Sequence, residues 1–517
     1  MEPEPLPPEV GVLEAEIPWY RTPFFSRLLA IALPPLGIGL AWTNRHLSTA
    51  RKVLVTVVLA LFFIPYVVGI VWFLVFLNLV QVEWKGGFGP SLVFRKTVPD
   101  FQALELNRSG QRAESEGAFS RTPNPSSYWT DFRGPRRDGR YDEQPILLDW
   151  PEAGPRVVWR QPVGGGYASF VVADGRAFTI EQRREQETVV AYDLETGREL
   201  WTYSYPALFS EWMGGDGPRA TPTLVADMLY SYGATGELIC LGAASGTVLW
   251  RKNVLEDNQS GNLRYGMAAS PLAVDDQLIV LAGDASPGKS VISYDRLSGR
   301  RLWSALDDRQ SYTSPILAEL AGQRQIVIVT ASRVVGLATD GSKTLWEYPW
   351  KVQYENAIAT PLMVSTNRFL ISAGYGTGAA LVEVAREGDG FRATQVWRNR
   401  NLKTKFNPAV IWEGHAYGLD EGVLACIDLA TGERRWREGR YGYGQLLLAS
   451  GHLIVLGGEG DLALVKATPE RWQELRRIRV LRGKTWNVPA LAGGFLLVRN
   501  SAEMACLDLR LRRVTAP

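Results

Sequence analysis

Two hydropathy patterns divide the chain. Residues 28–43 and 53–82 carry no charged side chain, whereas from about residue 155 onward short apolar runs alternate with turn residues. A membrane-spanning helix needs about 20 apolar residues. The second stretch exceeds that length and predicts a spanning helix over 53–80, since Pro65 and Gly69 are tolerable inside a bilayer. The first predicts a helix over 24–43 that reaches spanning length only with Phe24, Phe25 and a snorkelling Arg27. Arg45, His46, Arg51 and Lys52 lie between the two and place that loop in the cytoplasm. The acidic tail 1–23 then lies outside if both helices span and inside if only the second does. In both cases everything after Glu83 is extracytoplasmic. An acidic tail and the lack of a small-x-small site speak against a cleaved signal peptide.

Beyond the membrane segment, residues 83–150 read as a linker of mostly extended chain, rich in Gly, Pro, Ser and Arg, part of it lying along the domain that follows. From 151 to 513 the pattern is a repeat. Ala191-Tyr-Asp-Leu-Glu-Thr-Gly-Arg-Glu-Leu-Trp201 returns as Cys240-Leu-Gly-Ala-Ala-Ser-Gly-Thr-Val-Leu-Trp250 and Ser293-Tyr-Asp-Arg-Leu-Ser-Gly-Arg-Arg-Leu-Trp303, then as Cys426-Ile-Asp-Leu-Ala-Thr-Gly-Glu-Arg-Arg-Trp436. Trp159, Trp201, Trp250, Trp303, Trp346, Trp397 and Trp436 recur at spacings of 39–53 residues. Each unit holds four short strands, which is the grammar of a propeller blade. The last unit has three, and strand 155–160 supplies its fourth. The fold predicted is therefore all-β: an eight-bladed propeller of four-stranded antiparallel blades, preceded by one or two transmembrane helices. One tryptophan per blade predicts that the indoles dock between neighbouring blades.

Composition narrows the function. Lys+Arg 56 against Asp+Glu 54 gives a net charge of +2, so no basic footprint points to nucleic acid. Cys240, Cys426 and Cys506 share one repeat position, hence one per blade, and cannot bridge. His415 and His452 are likewise distributed, which yields no metal site and no catalytic set. Gly283-Asp-Ala-Ser-Pro-Gly288-Lys289-Ser290 matches a Walker A pattern, but a strand rather than a helix is predicted after it, so no nucleotide is expected.

The Asp-x-x-Thr-Gly-x-x-x-Trp phrase resembles the tryptophan-docking repeat of the pyrroloquinoline quinone (PQQ) propellers, a superfamily that includes quinoprotein alcohol dehydrogenases and BamB. Trp129-Thr-Asp-Phe-Arg-Gly-Pro-Arg-Arg-Asp-Gly139 is similar to the preamble of BamB-like bacterial members. Two features depart from the quinoprotein enzymes: no two cysteines are adjacent, and the blades lack long insertions. The resemblance implies a bacterial inner-membrane protein with a periplasmic propeller that acts as a non-catalytic, protein-binding scaffold. The alternative it implies is a PQQ-dependent sugar or alcohol oxidoreductase, with PQQ and calcium in the central funnel.

Propeller geometry brings to the funnel mouth the positions where inner strands begin: Tyr167/Ser169, Arg219/Thr221, Met267/Ser270, Tyr312/Ser314, Asn356/Thr360, Lys405/Asn407, Tyr443/Gln445 and Trp486/Asn487. For an anionic, planar ligand the binding candidates are Arg219, Asn356, Lys405, Asn407, Tyr443, Trp486 and Asn487, with Asp216 and Glu355 as weak candidates for a base. The loops 202–218 and 251–266 carry Phe209, Trp212 and Tyr265 and predict an aromatic rim suited to protein partners.

Overall fold

A computed structural model describes residues 28, 33–45, 47–87, 89–114, 129–283, 289–406 and 408–511. The chain forms two compact units, Met1–Glu83 with Ser91–Arg95 and Trp84–Pro90 with Lys96–Pro517.

In the first unit, helix α1 (Pro34–Thr43) packs on helix α2 (Thr49–Phe76). The Trp42 indole donates to Thr56 Oγ1 at 2.9 Å, and Lys52 Nζ donates to the Trp42 carbonyl at 3.2 Å. At 1.5 Å per residue, α2 is about 42 Å long against a hydrocarbon core of about 30 Å. It is the one helix among the described residues long and apolar enough to cross a membrane. A two-stranded hairpin pairs Gln81–Glu83 with Ser91–Val93.

The second unit is the eight-bladed propeller. Blade 1 comprises Val171–Ala173, Arg176–Arg183, Gln186–Asp193 and Glu199–Pro206, and five further four-stranded antiparallel blades follow in chain order, then a seventh whose inner strand Gln445–Ala449 also pairs in parallel with Arg140–Tyr141. Blade 8 takes three strands from the C-terminal end and its outer strand, Arg156–Pro162, from upstream of blade 1, with Trp159 opposite Cys506. The ring is thus closed across the chain ends, and no blade is left half-built.

Each repeat turn performs two tasks. Asp193 Oδ1 accepts from the Thr196 amide at 2.8 Å and from its hydroxyl at 2.7 Å, which folds the hairpin locally. The glycine that follows forms the seat for the preceding blade's indole. An added Cβ would come within 2.7 Å of Trp159 at Gly197 and of Trp250 at Gly299. The ring nitrogens of Trp159, Trp201, Trp250, Trp397 and Trp436 donate at 2.9–3.0 Å to the carbonyls of Leu194, Ala243, Arg296, Leu429 and Thr468 in the next blade. Trp303 and Trp346 donate instead to Gln277 and Gln325 of their own blades, at 2.6 and 2.5 Å. The three cysteines are buried and free. Burial pushes the thiols of Cys240 and Cys426 up to about 12, which leaves them unreactive.

Within the stretch read as extended linker, residues 101–114 form helix α3 (Phe101–Glu114). Phe101, Leu104 and Arg108 lie at helical spacing on its inward face. Arg108 is buried and donates to Glu199 at 3.2 Å, Gln161 at 3.0 Å, the Pro162 carbonyl at 3.0 Å and the Tyr192 hydroxyl at 3.2 Å. It thereby ties α3 to the junction where the ring closes. Burial opposes ionisation of the neighbouring Glu181, but Arg183, Arg499 and Arg108 hold its carboxyl below the usual range.

Candidate functional site: the axial chamber

The floor of the channel is the segment around Trp129. The Trp129 amide donates to the Val172 carbonyl at 2.8 Å and its carbonyl accepts from the Val172 amide at 2.9 Å; the Thr130 carbonyl accepts from Leu224 at 2.9 Å. Arg133 reaches the Ala409 carbonyl at 2.8 Å. Arg137 bonds Asp131 at 2.7 Å, the Pro315 carbonyl at 2.8 Å and the Pro271 carbonyl. Two arginines of one short segment therefore satisfy carbonyls at the inner strands of three blades, and Phe132, just before them, lines the chamber.

Above Phe132 lies an aromatic chamber of about 180 Å³, walled by Tyr167, Tyr265, Tyr312, Tyr375, Phe406 and Trp486. It opens into a vestibule of about 720 Å³ bordered by Arg264, Arg309, Glu355, Lys405 and Glu421. Burial pushes the phenols of Tyr312 and Tyr375 up to about 12, so they remain protonated donors at neutral pH.

Besides Arg264 and Arg309, three cations stand at this mouth. Arg219 donates to the carbonyls of Gly217 and Gly215, the latter at 2.5 Å, and lies 4.4 Å over the Phe209 ring. Lys405 donates to the Gly86 carbonyl and packs 4.4 Å from the Tyr375 ring and 4.8 Å from the Tyr443 ring. Lys484 donates to the Met213 and Gly214 carbonyls at 3.3 and 3.2 Å, 4.2 Å from the Trp486 ring. Burial lowers the pKa of Arg219 and of Lys405.

The remaining candidates fall in different places. Asn356 lines both cavities and donates to the Tyr375 hydroxyl at 3.4 Å. Tyr443 stands beside Phe406, with ring centroids 5.7 Å apart, and Trp486 packs 4.7 Å from Phe406. Asn487 is fully buried and donates to the Gly166 and Ala168 carbonyls at 3.2 and 3.0 Å, which ties blade 8 to blade 1 instead of facing the mouth. Asn407 lies outside the described residues. Several of the small hydroxyls read as channel lining join adjacent inner strands. The Ser169 amide donates to Thr221, the Thr221 amide to Ser270 and the Ser270 amide to Ser314, at 2.9–3.0 Å. Asp216 accepts from Ser210 at 2.6 Å, and Glu355 pairs with Arg309 at 2.7 Å. In the Walker-like segment, residues 284–288 lie outside the described residues, and the element after Ser290 is the strand Val291–Asp295.

Lys484, Phe132 and Trp84 were missed in the sequence. Lys484 lies two residues before Trp486 and so falls just outside the repeat positions; Phe132 was visible only as part of a motif. Trp84, which borders both cavities, carries no sequence signal at all.

PQQ is a planar quinone bearing three carboxylates, and calcium requires clustered oxygen ligands. Size does not decide the matter, since the chamber of about 180 Å³ opens into a vestibule of about 720 Å³. Arg219, Lys405 and Lys484 are paired with carbonyls of the chain itself, and Arg309 with Glu355. Among the described residues no group of three His, Cys, Asp or Glu side chains converges on a point. The described residues offer no preformed seat for PQQ with calcium.

A family model described as outer membrane protein assembly factor BamB matches residues 185–438. The protein of that name from Bordetella pertussis (strain Tohama I) is 24% identical over 309 residues, 58% of this chain and 72% of its own length. That of Burkholderia pseudomallei (strain K96243) is 22% identical over 310 residues, 57% of this chain and 73% of its own. Among solved structures, BamB from Moraxella catarrhalis superposes with a TM-score of 0.50 at 14% identity, over 69% of this chain and 99% of that one. At that identity the likeness is one of fold.

Proposed function

We propose that this chain, a member of the PQQ-like β-propeller family related to BamB, is a membrane-anchored, extracytoplasmic scaffold that docks other proteins on the rim of its propeller and performs no chemistry in the funnel. The observation that carries this reading is where the polar and apolar groups of the mouth are used. Arg219, Lys405 and Lys484 are bonded to backbone carbonyls of the protein itself. By contrast, the loop that follows the strand Glu199–Pro206 presents Trp212 at 71% exposure and Leu208 at 50%. A bulky exposed aromatic above a polar rim is what protein interfaces use as an anchor. The relatives named as outer membrane assembly factors support a docking role of the same kind. Helix α2 supports the anchor, and the cationic Arg45, Arg51 and Lys52 at its start support an outward-facing propeller in the inner membrane.

The oxidoreductase reading draws on the aromatic walls and the three cations, but it requires those cations to change partners. A PQQ titration with calcium, followed by tryptophan fluorescence and melting temperature, decides between the two. A ligand at about 100 times its Kd stabilises by about 2.7 kcal/mol. The scaffold reading expects no quenching and no shift; saturable binding weakened by Arg219→Ala and Lys405→Ala would replace it with the enzyme reading.

A further inference from the structure

The geometry points to the mouth of the chamber as a binding site for a bent, glycine-bearing peptide segment, with residues 84–87 of this chain as its resident ligand. Gly86 adopts φ +86°, and a Cβ there would lie 2.6 Å from Tyr443 and 2.8 Å from Phe406, so the aromatic seat admits only glycine. Its carbonyl takes the Lys405 ammonium, which the rings of Tyr375 and Tyr443 hold in place. One residue back, Lys85 Nζ lies 2.9 and 3.0 Å from the two carboxylate oxygens of Glu459. One residue further, Trp84 meets Trp212 edge to face at 6.3 Å. Successive residues are thus read by an aromatic, an acidic and a glycine-only subsite, with a main-chain contact between them.

The resident segment has an advantage that a partner must overcome. A segment held on the same chain faces its site at an effective concentration of roughly millimolar. A partner's aromatic–basic–glycine segment therefore binds once residues 84–87 leave, and the two exclude each other. This deepens the docking reading by naming the kind of segment the mouth takes.

The test uses the full chain in detergent micelles. Gly86→Ala cannot seat its own segment, so Lys405 becomes reactive toward an amine label by at least about tenfold over the parent protein, equivalent to about 1.4 kcal/mol of lost protection. A fluorescent peptide Trp-Lys-Gly-Gly-Phe-Gly-Pro, the sequence of residues 84–90, binds G86A saturably, and binds neither the parent protein nor G86A/K405M. Equal Lys405 labelling in parent and G86A, or no saturable peptide binding by G86A, overturns the inference. Should G86A fail to melt cooperatively, Lys85→Glu, which opposes Glu459, is read by the same two measurements. Because Trp212 contacts Trp84 as well as standing on the rim, rim docking is measured on the parent protein, where residues 84–87 are seated, so that its failure is distinguishable from failure of the peptide to bind G86A.

Discussion

Gly299 and Gly414 separate two costs that a repeat glycine carries. Both have positive φ, +69° and +76°, but a Cβ at Gly299 meets the Trp250 ring at 2.7 Å, whereas one at Gly414 meets nothing within 4 Å. Gly414→Ala should cost the backbone strain alone, about 1–2 kcal/mol. Gly299→Ala adds overpacking of about 1–3 kcal/mol. Denaturant unfolding should therefore rank G299A well below G414A, and equal midpoints would mean that the indole is not seated on the turn. At this scale the repeat was legible because the turn chemistry and the tryptophan recur together. The polar residues at the strand starts were legible only as a group. Nothing in one sequence separates Asn487, which ties two blades, from Asn356, which faces the cavity.

Elements outside the repeat carry the closure of the ring and the floor of the chamber. Arg510 first, then Arg156 of the closing strand, hold the Asp508 carboxyl well below the usual carboxylate range against partial burial. A depressed folded pKa stabilises the protein above the unfolded carboxylate value of about 3.9 and is lost as pH falls toward the folded value. Asp508→Asn should lower the melting temperature at neutral pH, with the gap to the parent closing below about pH 4. A gap that persists in acid would assign the effect to packing. Arg137 is buried, pairs with Asp131 and satisfies carbonyls of two blades. Arg137→Ala should therefore destabilise by about 3 kcal/mol in denaturant unfolding, because it leaves buried acceptors and a carboxylate without a partner. The closing strand could be deduced from a blade one strand short. The floor could not, because its partners are scattered from Val172 to Ala409 and follow no local period. Helix α3 was missed because Arg108, a charge on the inward face, broke the apolar pattern that marks a buried helix.

The whole molecule combines an apolar helix, a ring with three of its mouth cations bonded to its own carbonyls, and a rim that exposes Trp212. The propeller was legible as a period, and the apolar helix as length without charge. The rim was legible only as loop length and aromatic content, since a surface that packs on nothing in its own chain leaves no period. Site-specific photocrosslinking in native membranes tests the docking claim most directly, with the crosslinker at Leu208, 50% exposed on the same loop as Trp212, which stays in place, and, as a control, at Leu297, a turn residue 57% exposed. The scaffold account predicts a discrete protein adduct from position 208 and none from 297. No adduct from 208, or the same adducts from both positions, would contradict it.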